Sequence, residues 1–367
     1  MMQFLNTLIK PVSGACNLDC SYCFYKELVE QLPQHMCMSD ETMRALIDRA
    51  LSSGAREILF AFQGGEPMLA GEEYYERFIA YVNQKKTNQK VTYSIQTNGT
   101  ILSDAYIALF LEHDFLVGIS LDGPAYVQNH HRVTVGGKET FADVFANVKR
   151  LMAAGVKVNV LSVITKYSSS RAEKLYKFYK KTGFEFIQFL PCMDPVLCVQ
   201  GAQEDSLGTD DYERFLCDFF DCWYRDFMAG EYISVRHFDN WIRMMCGQQA
   251  ESCALSGVCS SYFVIESNGD VYPCDFYVME EKKLGNVMEH DFNELQMRAS
   301  ESGFLTEPIQ QRSEDCAVCP YRIMCNGGCK RDRIYEGDKG KTRYCEALKR
   351  FFAKNVSKMQ EVVRMLQ

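Results

Sequence analysis

The stretch Cys16-Asn-Leu-Asp-Cys20-Ser-Tyr-Cys23 places three cysteines at the spacing C-x3-C-x2-C, directly after an apolar segment with the pattern of a first β-strand. Three thiolates in so short a loop can hold three irons of a four-iron, four-sulfur cluster. The fourth iron then has no protein ligand and can bind a small molecule. The alternative is a zinc site completed by Cys37 or a histidine, although zinc ribbons favour paired C-x2-C spacings. The loop therefore predicts a cluster with one open iron.

Composition and charge narrow the class of protein. The 367 residues are 47% hydrophobic, enough for one large domain with a full core and a second, smaller domain. The net charge of −8 argues against nucleic acid or an anionic membrane as a partner. No run approaches the roughly 20 apolar residues of a membrane span, and the first residues lack a signal-peptide pattern. We therefore expect a cytoplasmic protein.

The number and grouping of the cysteines indicate metal centres. Seventeen cysteines are many for a cytoplasmic chain, in which disulfides are disfavoured. Eight of the nine in the last third lie at the spacings C-x5-C-x14-C and C-x2-C-x5-C-x3-C followed by a final cysteine at Cys345. Thiols grouped in this way bind iron–sulfur clusters or zinc, and eight cysteines would fill two sites of either kind.

Six short apolar runs alternate with amphipathic, helix-like stretches over the first two thirds of the chain. This alternation predicts an α/β fold, a parallel sheet covered by helices, in either a doubly wound or a barrel arrangement. In both arrangements the functional residues follow the carboxyl ends of the strands. The predicted strands are Phe4–Lys10, Glu57–Gln63, Thr92–Gln96, Leu116–Leu121, Lys157–Val163 and Glu185–Leu190.

Polar motifs follow five of these strands at the place where function is expected. None is strong alone, because a Gly-Gly-Glu-Pro sequence can be an ordinary turn. Their shared position at strand ends is what favours a single site. After the cysteine loop, the motifs are Gln63-Gly-Gly-Glu66-Pro67, Gln96-Thr-Asn98, Ser120 with Asp122 and Arg132, and Pro191-Cys-Met193.

The last third of the chain changes character. From about Glu231 it becomes rich in cysteine, glycine and turns, and Asn268-Gly269 between two short apolar runs predicts a hairpin. The final stretch, Glu346–Leu366, has the pattern of a helix. We therefore expect two domains, residues 1–230 and residues 231–367.

The cysteine loop, the Gly-Gly-Glu-Pro motif and the six β/α units together resemble the radical S-adenosylmethionine (SAM) superfamily. The resemblance implies a partial (β/α)6 TIM barrel. It also implies that the open iron chelates the amino and carboxylate groups of SAM. One electron from the cluster then cleaves the sulfonium C–S bond and yields a 5′-deoxyadenosyl radical.

The second group of cysteines resembles the SPASM domain, because Cys259-x9-Gly269-x4-Cys274 and the following C-x2-C-x5-C-x3-C run occur in the right order. This resemblance implies two auxiliary four-iron clusters, and therefore three [4Fe-4S] clusters in all. It assigns Cys253, Cys259, Cys274 and Cys329 to one auxiliary cluster, and Cys316, Cys319, Cys325 and Cys345 to the other.

Further motifs are similar to those of the anaerobic sulfatase-maturating enzymes. That family oxidises a cysteine or serine in a C/S-x-P/A-x-R motif of a sulfatase to Cα-formylglycine. The implied partners are an unfolded or nascent sulfatase polypeptide and an electron donor such as flavodoxin or ferredoxin. The matching stretches begin at Phe60, Ser94, Gly118, Tyr272 and Asn326.

The resemblance assigns roles to residues by position. Glu66 lies in the stretch that holds the SAM amino group, although it could simply stabilise its turn. Met193 takes the adenine-side position, where relatives have a leucine. Asp275, next to Cys274, matches the proposed proton acceptor, and its alternative role is to cap a turn. The matching SAM positions are Tyr22, Gly65, Ser120 and Arg132, and the candidate peptide contacts are Tyr25, Gln63 and Gln96.

Two other functions remain open at this point. Another SPASM-type enzyme would form a thioether or carbon–carbon crosslink in a peptide, often with an extra N-terminal recognition domain for which little chain precedes Cys16. A non-catalytic Fe–S electron carrier, or a zinc scaffold, would use the cysteines without SAM. The motifs at the strand ends argue against a carrier, which needs no open iron. The sequence does not decide between cysteine and serine as the target.

Overall fold

The computed structural model describes residues 2–26, 37–195, 198–260 and 262–367. Its main feature is one sheet with the strand order β10-β9-β8-β1-β2-β3-β4-β5-β6-β7. The strands of this sheet are β1 (Phe4–Ile9), β2 (Glu57–Phe62), β3 (Lys90–Thr97), β4 (Leu116–Ser120), β5 (Lys157–Ile164), β6 (Phe186–Pro191), β7 (Ser234–Val235), β8 (Phe263–Ile265), β9 (Asp270–Tyr272) and β10 (Gly285–Asn286), and a separate hairpin contains β11 (Arg333–Glu336) and β12 (Lys339–Thr342).

Helices connect these strands. In the first two thirds they are α1 (Asp40–Ser52), α2 (Glu72–Lys85), α3 (Asp104–Glu112), α4 (Ala125–His131), α5 (Phe141–Ala154), α6 (Lys166–Ser169), α7 (Ala172–Thr182) and α8 (Thr209–Met228). The later helices are α9 (Arg236–Met245), α10 (Cys253–Ser256), α11 (Phe292–Glu301), α12 (Glu307–Gln310), α13 (Arg322–Cys325) and α14 (Cys345–Leu366).

The strand order distinguishes between the two arrangements that periodicity left open. Strands β1 to β6 are parallel neighbours in the order in which they occur along the chain. A doubly wound sheet would reverse its order at a switch point, whereas a (β/α) barrel proceeds in one direction. The predicted α/β fold with a partial barrel is therefore confirmed. It places the six carboxyl ends along one edge.

Local sequence explains where the helices begin and end. Ser39 and Ser103 are the N-caps of α1 and α3, since each hydroxyl accepts a hydrogen bond from a backbone N–H in the first turn. Two helices, α6 and α7, lie between β5 and β6, because Thr165 and Ser168 make a capping box that begins a separate helical turn.

The last third of the chain adds strands to both outer strands of the six-stranded parallel sheet. Strand β8 pairs with β1 in parallel, and β7 pairs with β6. The predicted hairpin is β8–β9, and Gly269 in its turn has a φ of +89°, which favours glycine. Helix α14 packs on α8, where the rings of Phe220 and Phe351 are 5.5 Å apart. The boundary near residue 230 stays a prediction. None of the helices that the structure describes is long and apolar enough to cross a membrane.

Candidate active site

The cysteine loop lies at the carboxyl end of β1 and is fastened to the ends of neighbouring strands. The backbone N–H of Asp19 donates to the carbonyl of Val133 at 2.8 Å. The side-chain amide of Asn98, after β3, lies 3.8 Å from Cys16 Sγ, and the N–H of Leu18 lies 3.4 Å from the same sulfur. N–H donors aimed at a sulfur favour the thiolate that binds metal.

Burial makes the Cys16 and Cys20 thiols reluctant to ionise without a metal. It raises the pKa of Cys16 to about 11 and also raises the pKa of Cys20. A thiol must lose its proton to bind metal, so cationic iron would provide the opposite charge that the buried thiolates need. The donor set of the loop therefore fits an iron–sulfur cluster.

Two glycines let the turn after β2 lie against this loop. Gly65 has a φ of +51°, and a Cβ atom there would lie 2.0 Å from the carbonyl oxygen of Ala15. Gly64 has a φ of +92°, and its Cβ would lie 2.5 Å from Lys10 Cγ. No side chain fits at either position without displacing backbone or a buried side chain. The glycines of the Gly-Gly-Glu-Pro motif are thus required by close packing.

Glu66 is fully buried and bonded to protein on both carboxylate oxygens. Oε1 accepts hydrogen bonds from Thr97 Oγ1 at 2.7 Å and from the N–H of Met68 at 3.0 Å. Oε2 accepts from the N–H of Asn98 at 2.7 Å. The side chain thus joins the turns after β2 and β3 beneath the cysteine loop, as the turn-stabilising alternative requires. Its predicted role toward SAM stays a prediction.

Tyr22, Asp122 and Arg132 form a buried polar cluster beside the loop. The Tyr22 hydroxyl donates to Asp122 Oδ2, and Arg132 Nη1 donates to the Tyr22 oxygen at 2.9 Å. Burial alone would lower the pKa of Arg132, but Tyr22, Cys20 and Asp122 outweigh it and hold that pKa well above its usual range. Arg132 Nε is buried and has no hydrogen-bond partner among the described residues. The cluster therefore presents a fixed cation with one unused donor.

A second polar group lies on the strands next to it. Gln96 Nε2 donates to Ser120 Oγ at 3.1 Å, which brings together a predicted peptide contact and a predicted SAM contact. A Cβ at Gly118 would lie 2.1 Å from Gln96 Oε1 and 2.9 Å from Asn159 Oδ1, so this glycine makes room for both amides. Asn159 Oδ1 is buried without a partner among the described residues. Met193 follows β6 and is half-buried.

Asp275 lies at the same edge of the sheet, although it follows β9. Gln63 Nε2, at the end of β2, donates to Asp275 Oδ2 at 3.2 Å, and Lys10 Nζ lies 2.5 Å from Asp275 Oδ1. The Tyr25 hydroxyl donates to Glu266 Oε1 at 2.6 Å and contacts Lys10 Nζ. The structure thus brings the predicted base together with two of the three predicted peptide contacts.

Lys10 and Glu266 were missed by the sequence analysis. Both are fully buried, and their Nζ and Oε1 atoms are 3.5 Å apart. The signal for Lys10 was a charged residue at the end of an otherwise apolar first strand. Glu266 had the same kind of signal at the end of β8.

Asp275 directly follows one cysteine of the first C-terminal set, Cys274. The Tyr262 hydroxyl lies 3.4 Å from Cys274 Sγ and accepts the N–H of Asp275 at 3.2 Å. Burial, with a smaller contribution from nearby Cys253, raises the pKa of Cys274 to about 12 and that of Cys259 to about 11. Burial also raises the pKa of Cys329, with contributions from Asp332, Cys274 and Cys253. Cys253 thus lies within electrostatic reach of the other three thiols of the set.

The second set converges on one cavity. Burial, with contributions from the other three thiols of the set, raises the pKa of Cys325 to about 11. The cavity lies between the α13 region and the start of α14, with Lys341 and Lys349 among its lining residues. The four cysteines that line it are Cys316, Cys319, Cys325 and Cys345.

The spacing of the sulfurs bears on the zinc alternative. In the described part of the chain, only His130, His131 and Asp205 bring three Cys, His, Asp or Glu ligand atoms within 4.8 Å of one another. One zinc ion would hold its thiolates about 3.8 Å apart, because Zn–S bonds are about 2.3 Å long. The wider cysteine sets fit four-iron clusters better. Both ring nitrogens of His131 already bond hydroxyls, Ser21 Oγ at 2.8 Å and Thr165 Oγ1 at 3.0 Å.

Comparison with known families agrees with this geometry. A model of the radical SAM superfamily matches residues 11–179, and a model of the SPASM iron–sulfur cluster-binding domain matches residues 253–320. A cysteine-type anaerobic sulfatase-maturating enzyme of Clostridium novyi (strain NT) is 39% identical over 100% of this chain and 99% of its own length. The chain belongs to the anaerobic sulfatase-maturating enzymes.

Other members of this family are also similar over nearly the whole chain. A serine-type anaerobic sulfatase-maturating enzyme of Bacteroides thetaiotaomicron is 30% identical over 95% of this chain and 88% of its own length. The solved structure of native anSMEcpe with bound AdoMet and Cp18Cys peptide has a TM-score of 0.94 and 35% identity, and covers 99% of this chain and 100% of that one. The predicted enzyme class, SAM and iron–sulfur clusters are thereby confirmed.

Proposed function

We propose that this enzyme oxidises a cysteine in a C-x-P/A-x-R motif of a sulfatase to Cα-formylglycine. The observation that carries the proposal is the contact between the end of the cysteine loop and the Asp275 group. The ring of Phe24, next to Cys23, lies 5.1 Å from the ring of Phe276, next to Asp275, and the Tyr25 hydroxyl contacts Lys10, which pairs with Asp275. Cysteine is favoured over serine because cysteine-type relatives are 39% and 36% identical to this chain, against 30% for a serine-type one.

The reaction removes two electrons and two protons from the cysteine side chain. When bound, the clusters and SAM supply the 5′-deoxyadenosyl radical, which takes a hydrogen atom from Cβ, and an acceptor for the second electron. The thiol proton must also leave, and Asp275 Oδ2 is placed to accept it. Loss of that proton and electron leaves a thioaldehyde, which water converts to the aldehyde with release of hydrogen sulfide.

The residues on the loop side would hold the cofactors. Cys16, Cys20 and Cys23 would bind the cluster with the open iron. Arg132, whose Nε is unused in the described part of the chain, would donate a hydrogen bond to SAM, and Tyr22 would keep its guanidinium in place. Gly65, Glu66, Ser120 and Met193 would complete the SAM site, with Glu66 acting through the turn that it braces.

The residues on the other side would hold the peptide and the auxiliary clusters. Tyr25, Gln63 and Gln96 would contact the peptide near the reacting cysteine. Residues 231–367 would bind the two auxiliary clusters as the SPASM domain, beside the barrel of residues 1–230. The peptide would be an unfolded or nascent sulfatase in the cytoplasm, and a flavodoxin or ferredoxin would supply electrons.

Mass spectrometry of a sulfatase-motif peptide tests this function. The peptide is incubated anaerobically with reduced enzyme and SAM, in cysteine and serine versions. We expect the cysteine version to lose two hydrogens and to carry oxygen in place of sulfur, and to react faster than the serine version, which would lose two hydrogens only. A crosslinked peptide would favour the alternative SPASM chemistry. An unchanged mass together with 5′-deoxyadenosine formation would contradict the proposal.

A further inference from the structure

Lys10 is a fully buried cation at the carboxyl end of β1. Its Nζ lies 2.5 Å from Asp275 Oδ1 and 3.5 Å from Glu266 Oε1. It also lies 3.6 Å from the centre of the Tyr25 ring. Lysine is almost never buried without a partner. The position therefore places one cation between two carboxylates.

The surrounding backbone leaves room for this side chain. The Lys10 N–H donates to the carbonyl of Ile265 at 2.8 Å, which fixes the start of the side chain beside β8. A Cβ at Gly64 would lie 2.5 Å from Lys10 Cγ and 2.6 Å from Cδ, so the lysine stem runs along the glycine turn. Gly64 thus leaves space for the Lys10 side chain and also allows the turn after β2.

Lys10 compensates the buried negative charge of Asp275 and Glu266. Asp275 and Glu266 are both buried, and Glu266 Oε2 has no hydrogen-bond partner among the described residues. Removing one partner from a buried ion pair leaves an uncompensated charge, which is strongly unfavourable. Lys10 is the cation that the structure places between these two carboxylates.

We propose that Lys10 is a positioning residue that balances the charge of Asp275 and turns its Oδ2 toward the reacting cysteine, with Glu266 holding the ammonium from the other side. The inference rests on the proposed role of Asp275 as base. Lys10 Nζ forms an ion pair with Oδ1 at 2.5 Å, and Oδ1 has no hydrogen-bond partner among the described residues, while Gln63 donates one hydrogen bond to Oδ2 at 3.2 Å. A carboxylate oxygen accepts two hydrogen bonds, so Oδ2 keeps a lone pair for the thiol proton.

Loss of Lys10 should therefore lower product formation without stopping SAM cleavage. Hydrogen-atom abstraction from Cβ does not use Lys10, so SAM cleavage continues. The carbon radical then keeps its thiol proton because Asp275 is displaced, and one electron from the reduced enzyme together with one proton returns it to cysteine without forming product. Less formylglycine should therefore form for each 5′-deoxyadenosine.

The test compares four variants with the wild type, using a peptide deuterated at the cysteine Cβ. They are Lys10→Met, Asp275→Asn, Lys10→Met with Glu266→Gln, and Lys10→Met with Asp275→Asn. The third keeps the net charge of the buried group as in the wild type. Formylglycine, 5′-deoxyadenosine with its deuterium content, iron content and the thermal unfolding midpoint are measured for each one.

We expect Lys10→Met and its charge-balanced form to yield at least about tenfold less formylglycine per 5′-deoxyadenosine, with deuterium transfer retained. Adding Lys10→Met to Asp275→Asn should lower the yield no further, because residues that act through one another are not additive. A control outside the site is Lys180→Met on α7, which removes a half-exposed lysine that lies 2.6 Å from Asp226 Oδ2 and also contacts Glu231. Its yield should equal that of the wild type.

Three results would overturn the proposal. Wild-type yield per 5′-deoxyadenosine in the charge-balanced variant would show that Lys10 only neutralises Glu266. Loss of deuterium transfer would indicate that Lys10 binds the peptide instead. Additive losses in the double variant Lys10→Met with Asp275→Asn would show that Lys10 and Asp275 act independently. If the charge-balanced variant does not fold, Lys10→Arg is used in its place, because it keeps a cation beside Asp275, and a yield as low as that of Lys10→Met would overturn the proposal. Wild-type yield in Asp275→Asn would instead refute the base role itself.

Discussion

The cysteine loop at residues 16–23 and the group around Asp275 lie at the same edge of the sheet, but they are assembled differently. The loop and its partners come from consecutive strand ends, and neutral donors such as Asn98 contact its sulfur and the side-chain oxygen of Asn17. The Asp275 group joins β1, β2 and β8–β9 through buried charges, and 212 residues separate Gln63 from Asp275. In the proposed function, the first region would hold the cofactors and the second would accept a proton.

The two regions should therefore fail in different ways. Changing the loop removes the radical, so nothing downstream can occur. Changing the Asp275 group leaves the radical intact and alters what becomes of it. The ratio of formylglycine to 5′-deoxyadenosine separates these two failures wherever SAM is still cleaved.

The largest effect is expected from replacing Cys16, Cys20 and Cys23 together with alanine. We expect SAM cleavage to be abolished, because no thiolate remains to bind the first cluster. The iron content should fall from about 12 atoms to about 8, since the eight C-terminal cysteines are untouched. Iron analysis and chromatography of 5′-deoxyadenosine test this. Wild-type 5′-deoxyadenosine would contradict the role of the loop, and stoichiometric zinc with little iron in the unaltered protein would contradict the clusters.

The next effect is expected from Asp275→Asn. Asparagine keeps the size of the side chain but cannot accept the thiol proton as a base, so formylglycine should fall by about 10²-fold or more. SAM cleavage should continue at a rate close to that of the wild type, because the cysteine loop is unchanged. Product and 5′-deoxyadenosine are measured in the same reaction. A parallel loss of both would mean that Asp275 supports the loop, and the contrast between the regions would disappear.

Sequence reasoning predicted the loop side of the site more fully than the Asp275 side. The loop motifs are short, each follows a strand, and parallel strands align their carboxyl ends, so Gly65, Ser120 and Arg132 could be placed from pattern alone. The order of the strands could not be predicted from the pattern, because six similar β/α units fit a doubly wound sheet equally well. The two-residue strand β7 was missed because it is too short for a periodic pattern.

Lys10 and Glu266 show why the other side was harder to predict. Each ends a short apolar strand, where a charged residue usually marks the start of an exposed turn. Their burial depends on the parallel pairing of β8 with β1, a contact between residues more than 250 positions apart. No spacing in the sequence encodes that pairing. The role of Asp275 came from resemblance, and resemblance assigned no role to Lys10 or Glu266.

The smallest expected effect comes from comparing the variants Gly65→Ala and Gly71→Ala, at two glycines that follow β2. Both glycines have a positive φ, +51° and +81°, so alanine strains the backbone at each. At Gly65 the new Cβ would lie 2.0 Å from the carbonyl oxygen of Ala15, whereas at Gly71 it would meet nothing within 4 Å.

Gly65→Ala should therefore displace the backbone that leads into Cys16, while Gly71→Ala should only add strain. A displacement of about 1 Å at a reacting centre can cost about 10²-fold in rate, so Gly65→Ala should slow 5′-deoxyadenosine formation by about that factor. Gly71→Ala should stay within about twofold of the wild type, since its strain of about 1–3 kcal/mol lies outside the site. In both variants the yield of formylglycine per 5′-deoxyadenosine should be unchanged, because the Asp275 group is intact. A lower yield in Gly65→Ala alone would show that the two regions are mechanically coupled through Gly64 and Lys10, whose atoms lie next to that turn.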